Sequence, residues 1–169
     1  MTLIGARAAG TAGVIGERRQ IMASSAPGLA HDFNTNIIAE FRANEGRVGG
    51  ALAGTPMILI HHIGARSGRE RVTPLACSPQ GDGRIAVVAS NGGSLRHPDW
   101  YHNLKANPRI TVELGTQTFT VLAEELDYSA RAELWPTLVA EAPSVGEFQS
   151  RVKRQIPVFM LTPTTWRTS

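Results

Sequence analysis

The sequence predicts a mainly β domain with flanking helices, of the α+β class: an antiparallel sheet closed as a small barrel, with the helices outside it. Three observations predict this. Short β-branched apolar runs follow one another across glycine turns, so chain neighbours pair as hairpins. Helical patterns stand between and after these hairpins rather than alternating with every strand, which argues against a parallel sheet. The chain has 169 residues, enough for one core and too few for two large ones.

Residues 1–30 are rich in alanine and glycine and read as a loose, flexible extension, with residues 31–169 forming the single domain. Arg7 precedes a weakly apolar stretch, but glycines interrupt it and Glu17, Arg18 and Arg19 end it, which argues against a secretion signal. A lid or a peripheral membrane-surface role is compatible with such an extension.

A helix is expected from Asn34, which can cap it, with Ile37, Ile38 and Phe41 on one face and an end near Asn44 and Gly46. A glycine-rich link leads to strands at Met57–His62, Arg71–Cys77 and Ile85–Ala89. Their turns are Gly64–Gly68 and Gly81–Gly83. Pro74 marks an edge or a bulge in the second strand. A helix opens at Pro98 and is stopped by Asn107 and Pro108. Ile110–Leu114 and Thr118–Ala123 make a hairpin about Gly115. Tyr128–Glu141 reads as a helix that Pro136 should kink. Ser144 and Glu147 form a capping box for a short helix carrying Phe148 and Val152, and Val158–Leu161 is a last strand. The expected total is about six strands and four helices.

Composition narrows the function. The chain is 42% hydrophobic and 18% charged, the balance of a globular protein rather than a disordered one. No apolar run is long enough to span a membrane. Lys and Arg exceed Asp and Glu by 17 to 14, a net charge of +3 that suits an anionic ligand or surface. Nucleic acid is not expected, because no dense basic stripe with interleaved aromatics is present. The lone Cys77 rules out an internal disulfide and reads as a small buried strand residue, in keeping with a reducing cytoplasm.

Three segments could carry chemistry. Gly64-Ala-Arg-Ser-Gly68-Arg-Glu-Arg71 combines sharp backbone turns with a hydroxyl and three guanidinium groups, a set that cradles a phosphate or carboxylate. It lacks the spacing and lysine of a P-loop, and taken alone it is also an ordinary hairpin turn with solvated arginines. Val88-Ala-Ser-Asn-Gly-Gly93 runs a strand into a loop where missing side chains let a flat ring approach the backbone. His97-Pro-Asp-Trp-Tyr-His-Asn103 opens a helix, but His97 and His102 are five apart and poorly placed to share a metal, so no metal is expected. His61 and His62 are strand neighbours and point to opposite faces.

Taken together and in order, these segments resemble the deazaflavin-dependent nitroreductase family. The pieces are Glu40-Phe-Arg-Ala-Asn-Glu-Gly46 with Val48-Gly-Gly50, Gly64-Ala-Arg-Ser-Gly68, Arg71-Val-Thr-Pro-Leu75, Ala89-Ser-Asn-Gly-Gly93, His97-Pro-Asp-Trp-Tyr-His-Asn-Leu-Lys-Ala-Asn-Pro108 and Gln155-Ile-Pro-Val158. The long histidine-to-proline block is the most specific. The resemblance implies a split β-barrel like that of FMN-binding oxidoreductases, with coenzyme F420 in place of FMN.

It also implies a coenzyme site. Ala65, Arg66 and Ser67 would bind the phosphate. Arg71, Val72, Thr73, Pro74, Leu75 and Ala76 would line the ring, and Val88, Ala89, Ser90 and Asn91 would hold the ring and ribityl chain. Asp99, Trp100, Tyr101, His102 and Asn103 would complete the site. Departures from the pattern are Ala65, where a second basic residue is common, and Asn91, where the best-known members have lysine. A third is Ala142, Val145 and Phe148, where nitroreductase-type members carry tyrosines. Nitroimidazole reduction is therefore not implied. Val145 and Phe148 would make the acceptor side apolar, suiting a flat quinone or enone, and Ser90, a backbone N–H or water would donate to its oxygen.

The expected activity is thus hydride transfer from reduced F420 to a small organic acceptor. A coenzyme carrier with little catalysis and an FMN-binding split-barrel protein are the competing readings. The sequence places no constraint on oligomeric state.

Overall fold

In a computed structural model the described residues are 27–164. Helix α1 (Pro27–Ala43) precedes strand β1 (Met57–Ile63), with a 3-10 turn at Gly50–Leu52 between them. The hairpin partner β2 (Glu70–Ala76) is followed at once by a two-residue β3 (Ser78–Pro79) and then β4 (Ile85–Val88). After a turn at Asn91–Gly93 come α2 (Asp99–Ala106) and the hairpin β5 (Arg109–Leu114) and β6 (Gln117–Glu125). Helices α3 (Tyr128–Glu141) and α4 (Pro143–Ser150) lead to β7 (Val158–Pro163).

The seven strands form one sheet in the order β2-β1-β5-β6-β7-β4-β3, and every pairing is antiparallel. Its two edge strands, β2 and β3, are separated in sequence only by Cys77, whose amide bonds the Pro56 carbonyl at 2.9 Å. A single residue spans less than about 4 Å, so the sheet must curl until its opposite edges meet at that point. Beyond it the edges diverge, and the barrel is split. This is the fold class expected from the hairpin pattern.

Alternation along the strands makes a core on both faces of the sheet. Ile58 and Ile60 of β1, Ile85 and Val87 of β4, and Phe159 and Leu161 of β7 point into the barrel, with Trp100 and Leu104 of α2 closing it. On the outer face Met57 and Leu59 lie under Ile37 and Phe41 of α1. Ala86, Val158 and Met160 lie under Leu138 of α3. Strands covered on both sides lose the apolar–polar alternation and read as continuous apolar runs.

The structure corrects several element boundaries. Helix α1 begins at Pro27, seven residues before Asn34, and Phe33 joins the face of Ile37 and Phe41. Asn34 is therefore a helix-interior residue, not a cap, and its Oδ1 is buried without a partner. The expected extension lies, for residues 1–26, outside the described residues. Helix α4 opens with Pro143 in its first turn after Ala142, with no side-chain cap. Ser144 is thus helical rather than a capping residue, and Val152 lies past the helix end. Asp127 caps α3 by accepting from the Ala130 amide at 2.8 Å, and that helix continues through Pro136.

Candidate functional site

The turn between β1 and β2 is built to leave donors free. Gly68 has φ +71°, and a Cβ at Gly64 would collide with the Ser67 hydroxyl. Ser67 Oγ accepts from the Arg69 amide at 3.2 Å, which leaves its own proton to donate. Among the described residues no carboxylate pairs with Arg66, and the Arg66 and Ser67 amides meet no protein acceptor. Uncommitted amides, a hydroxyl and a guanidinium on one exposed turn are a donor set for a phosphate.

A buried relay holds this turn against α2. The Ala65 amide donates to Asn103 Oδ1 at 2.8 Å, so the Asn103 amide nitrogen donates to His62 Nδ1 at 2.9 Å. His62 is then protonated on Nε2 and donates to Thr73 Oγ1 at 2.8 Å, leaving the Thr73 hydroxyl proton free. Burial, helped by the Arg71 charge, pushes the His62 pKa down to about 4, which keeps the ring neutral. Asn103 and Thr73, both expected at the coenzyme, are thereby tied to the arginine turn through His62, one of the two strand histidines whose opposite facing the sequence shows.

The loop after β4 is strained and pinned. Asn91, Gly92 and Gly93 all have positive φ, at 49°, 64° and 83°, conformations open to glycine and tolerated by asparagine. Asn91 Nδ2 donates to the Arg96 carbonyl at 3.0 Å, while its buried Oδ1 has no partner. Arg154 reaches in from the segment before β7 and donates to the Ser90, Ser94 and Arg96 carbonyls and to His97 Nδ1, at 3.0–3.2 Å. His97 in turn stacks on Tyr101 at 4.0 Å.

At the far end of β2 from the arginine turn lies a cleft of about 430 Å³, within the size range of small-ligand sites. Ala76 and Cys77 form one wall, Ala86 and Val88 of β4 another, and Leu138 of α3, the joining Ala142, and Ser144 and Val145 of α4 a third. The linker residues 53–56 close it. At its edge Ser78 donates to Glu141 at 2.6 Å. Burial pushes the Cys77 thiol up to about 12, so it is an unreactive wall residue.

The expected residues thus fall into distinct groups. Ala65, Arg66 and Ser67 are exposed on the turn, as is Arg71 at the start of β2. Ala76, Val88 and Val145 share the cleft. Pro74, Leu75, Ala89 and Ser90 are buried, and Val72 lies under α1. Asp99 and His102 are exposed at the start of α2, whereas Trp100 sits in the barrel core edge-on to Phe159. Phe148 is not in the cleft wall: α4 turns it onto the Asn91–Gly93 loop, where a Cβ on Gly93 would lie 3.3 Å from its ring.

Sequence reasoning missed the linker 53–56, Ser78, Leu138, Glu141 and Ser144 as cleft residues, and Arg154 as the anchor of the loop. Arg154 stands out in the sequence only as part of the basic cluster Arg151, Lys153 and Arg154 beside Gln155-Ile-Pro-Val158, which does not mark it as reaching the loop. Among the described residues no three His, Cys, Asp or Glu side chains gather as a metal-binding set, and no helix is long and apolar enough to cross a membrane.

Comparison with known proteins gives a consistent picture. Residues 35–163 match the family model described as F420H(2)-dependent quinone reductase. F420H(2)-dependent quinone reductases of Mycobacterium tuberculosis, and a putative one of Mycobacterium bovis, are 39% identical over 131 residues. The alignment covers 73% of this chain and 85% of theirs. A solved F420-H2 dependent reductase has 38% identity and a TM-score of 0.58, covering 63% of this chain and 93% of its own. Another solved chain, described as a domain-swapped dimer, has 36% identity and a TM-score of 0.60 over 75% of this chain and 92% of its own.

Proposed function

This chain belongs to the F420H(2)-dependent quinone reductase family, and on that premise we propose that it reduces quinones at the cleft beside Ala76, Val88 and Val145. One observation carries the assignment of the site. The arginine turn and the apolar cleft lie at opposite ends of the same edge strand, β2, whose seven residues span roughly 20 Å. A coenzyme with an anionic tail and a flat ring needs those two environments, separated along one surface.

The residues present fit that coenzyme. The free amides of Arg66 and Ser67, the Ser67 hydroxyl and the Arg66 guanidinium would hold its phosphate. The unpartnered Asn91 Oδ1 and the free Thr73 hydroxyl proton are an acceptor and a donor still in want of partners. A buried acceptor of this kind is a cost that a bound polar group removes. Bound reduced F420 supplies a hydride, and the chain's own task is to orient the ring and keep water out. The relay through Asn103, His62 and Thr73 fixes the phosphate turn, Arg154 fixes the Ser90–His97 loop, and the apolar walls at Val88, Leu138 and Val145 exclude water. Those walls favour a flat, uncharged acceptor over a nitroaromatic that needs tyrosine donors.

Absorbance titration with F420 and with FMN tests the reading, followed by turnover of the reduced coenzyme with menadione. Tight F420 binding, weak FMN binding and a primary isotope effect from deuterium at the transferred position are expected. FMN binding in preference to F420, or F420 binding with no oxidation by any quinone or enone, would overturn it.

A further inference from the structure

Hydride addition to a quinone leaves negative charge on one of its oxygens, and a positioned donor there is worth a large share of the rate. Ser90 does not fill that place: it is fully buried, its carbonyl is held by Arg154, and it is absent from the cleft wall. Ser144 does line the cleft, between Ala142 and Val145. It is 8% exposed, and its hydroxyl oxygen is shielded from solvent and has no hydrogen-bond partner. An unpaired buried hydroxyl destabilises the fold that keeps it, and rotation about Cα–Cβ alone re-aims it. Ser144 also stands in the first turn of the eight-residue helix α4. There its own amide has no carbonyl one turn earlier to bond, and the helix end favours negative charge.

We propose that the Ser144 hydroxyl, backed by the N-terminus of α4, is a catalytic donor to the acceptor oxygen that becomes anionic. The proposal rests on the quinone reductase reading above. The acceptor gains a hydride, and with it two electrons, from the reduced coenzyme, and takes one proton from solvent to become the hydroquinone. The coenzyme is oxidised and releases one proton, and Ser144 keeps its own. Glu141, paired with Ser78 in the same wall, opposes an oxyanion there, which makes a neutral donor at Ser144 the more valuable.

The test compares the parent with Ser144→Ala and Ser144→Cys by three readouts. These are thermal unfolding without coenzyme, the Kd of oxidised F420, and the single-turnover rate with menadione. Because the hydroxyl is unpaired at rest, the alanine variant is expected to unfold at or above the parent temperature and to bind F420 within twofold of the parent. It should also lose about tenfold or more in rate, with the cysteine variant between the two. A rate within twofold of the parent overturns the proposal, as does a fall of several degrees in Tm, which would mark the hydroxyl as structural. If the parent itself binds F420 and reduces no quinone, the family-based reading fails first and this proposal with it.

Discussion

Arg154 and Ser90 are 64 residues apart in sequence, and the Arg154 Nη2 donates to the Ser90 carbonyl at 3.0 Å. The same guanidinium holds two more carbonyls of the loop and the His97 ring. Burial lowers the Arg154 pKa from its ordinary value, yet the group stays charged. A planar fork that satisfies several acceptors at once makes the Ser90–His97 loop rigid before any ligand arrives.

Arg154→Ala should therefore weaken both fold and site. Loss of several charge-assisted bonds is worth about 2–4 kcal/mol, read as a lower urea midpoint. F420 affinity should fall in parallel, because the loop would have to be ordered on binding. Arg154→Lys keeps the charge but not the fork, and should recover less than half of either loss. Unchanged affinity in the alanine variant would mean that the loop does not bear on the coenzyme.

The fold was readable where one strand or helix carries its own pattern. Met57–Ile63 is β-branched and bounded by turns, and Pro98 and Asn107 bracket α2 at nearly its true ends. Helix α1 was read short because Asn34 resembles a cap, whereas Phe33 packing beside Ile37 extends the helix back to Pro27. Two-residue β3 holds no period to read, yet its pairing with β4 decides where the barrel splits. The turn donors were legible because they are consecutive. The cleft was not, because its walls come from residues 53–56, β2 to β4, and the α3–α4 junction, which only the curled sheet brings together.

Acid should act on the site through His62 before it acts on the sheet. The folded His62 pKa of about 4 lies below its ordinary 6.5, so the unfolded chain takes up a proton first as pH falls. Stability is then lost between about pH 6.5 and 4, on the order of 3 kcal/mol in all. Glu113 accepts from Arg42 and His61 and has its pKa lowered from 4.5 to about 2, chiefly by the Arg42 hydrogen bond. Its contribution is present above pH 4.5 and is lost only as pH falls towards 2. Urea unfolding across this range should show His62→Gln flattening the upper window and Glu113→Gln the lower one. A variant that flattens the other window would refute the assignment.

Arg66 should matter for affinity and not for folding. It is exposed, and no carboxylate among the described residues pairs with it. Arg66→Ala is expected to leave Tm within a degree or two and to weaken F420 binding roughly ten- to a hundredfold. The parent's affinity should drop with added salt more steeply than the variant's, since an exposed phosphate contact is screened. Equal affinity in the two proteins would move the phosphate site elsewhere.

The acceptor's share of the cleft can be narrowed while the contacts proposed for the coenzyme's phosphate stay in place. Ala142 precedes α4 with φ −141° and ψ 85°, a negative φ that does not require glycine, and is partly exposed in the cleft wall. A tryptophan there adds an indole to a cleft of about 430 Å³ without entering the packed core, where overpacking would cost stability. The arginine turn proposed to hold the phosphate lies at the other end of β2, and the Asn103–His62–Thr73 relay does not involve α4. Ala142→Trp is therefore expected to keep the parent's Tm and, with the phosphate contacts intact, to lose less F420 affinity than acceptor affinity. The KM for menadione should rise at least about fivefold, since loss of the apolar contact area shared by acceptor and wall costs about 1 kcal/mol or more. Smaller acceptors such as 1,4-benzoquinone should lose less than bulky naphthoquinones. A variant that loses coenzyme affinity as much as acceptor affinity would show that the position beside Ala142 belongs to the coenzyme ring rather than to the acceptor, and a variant indistinguishable from the parent would place the acceptor outside this cleft.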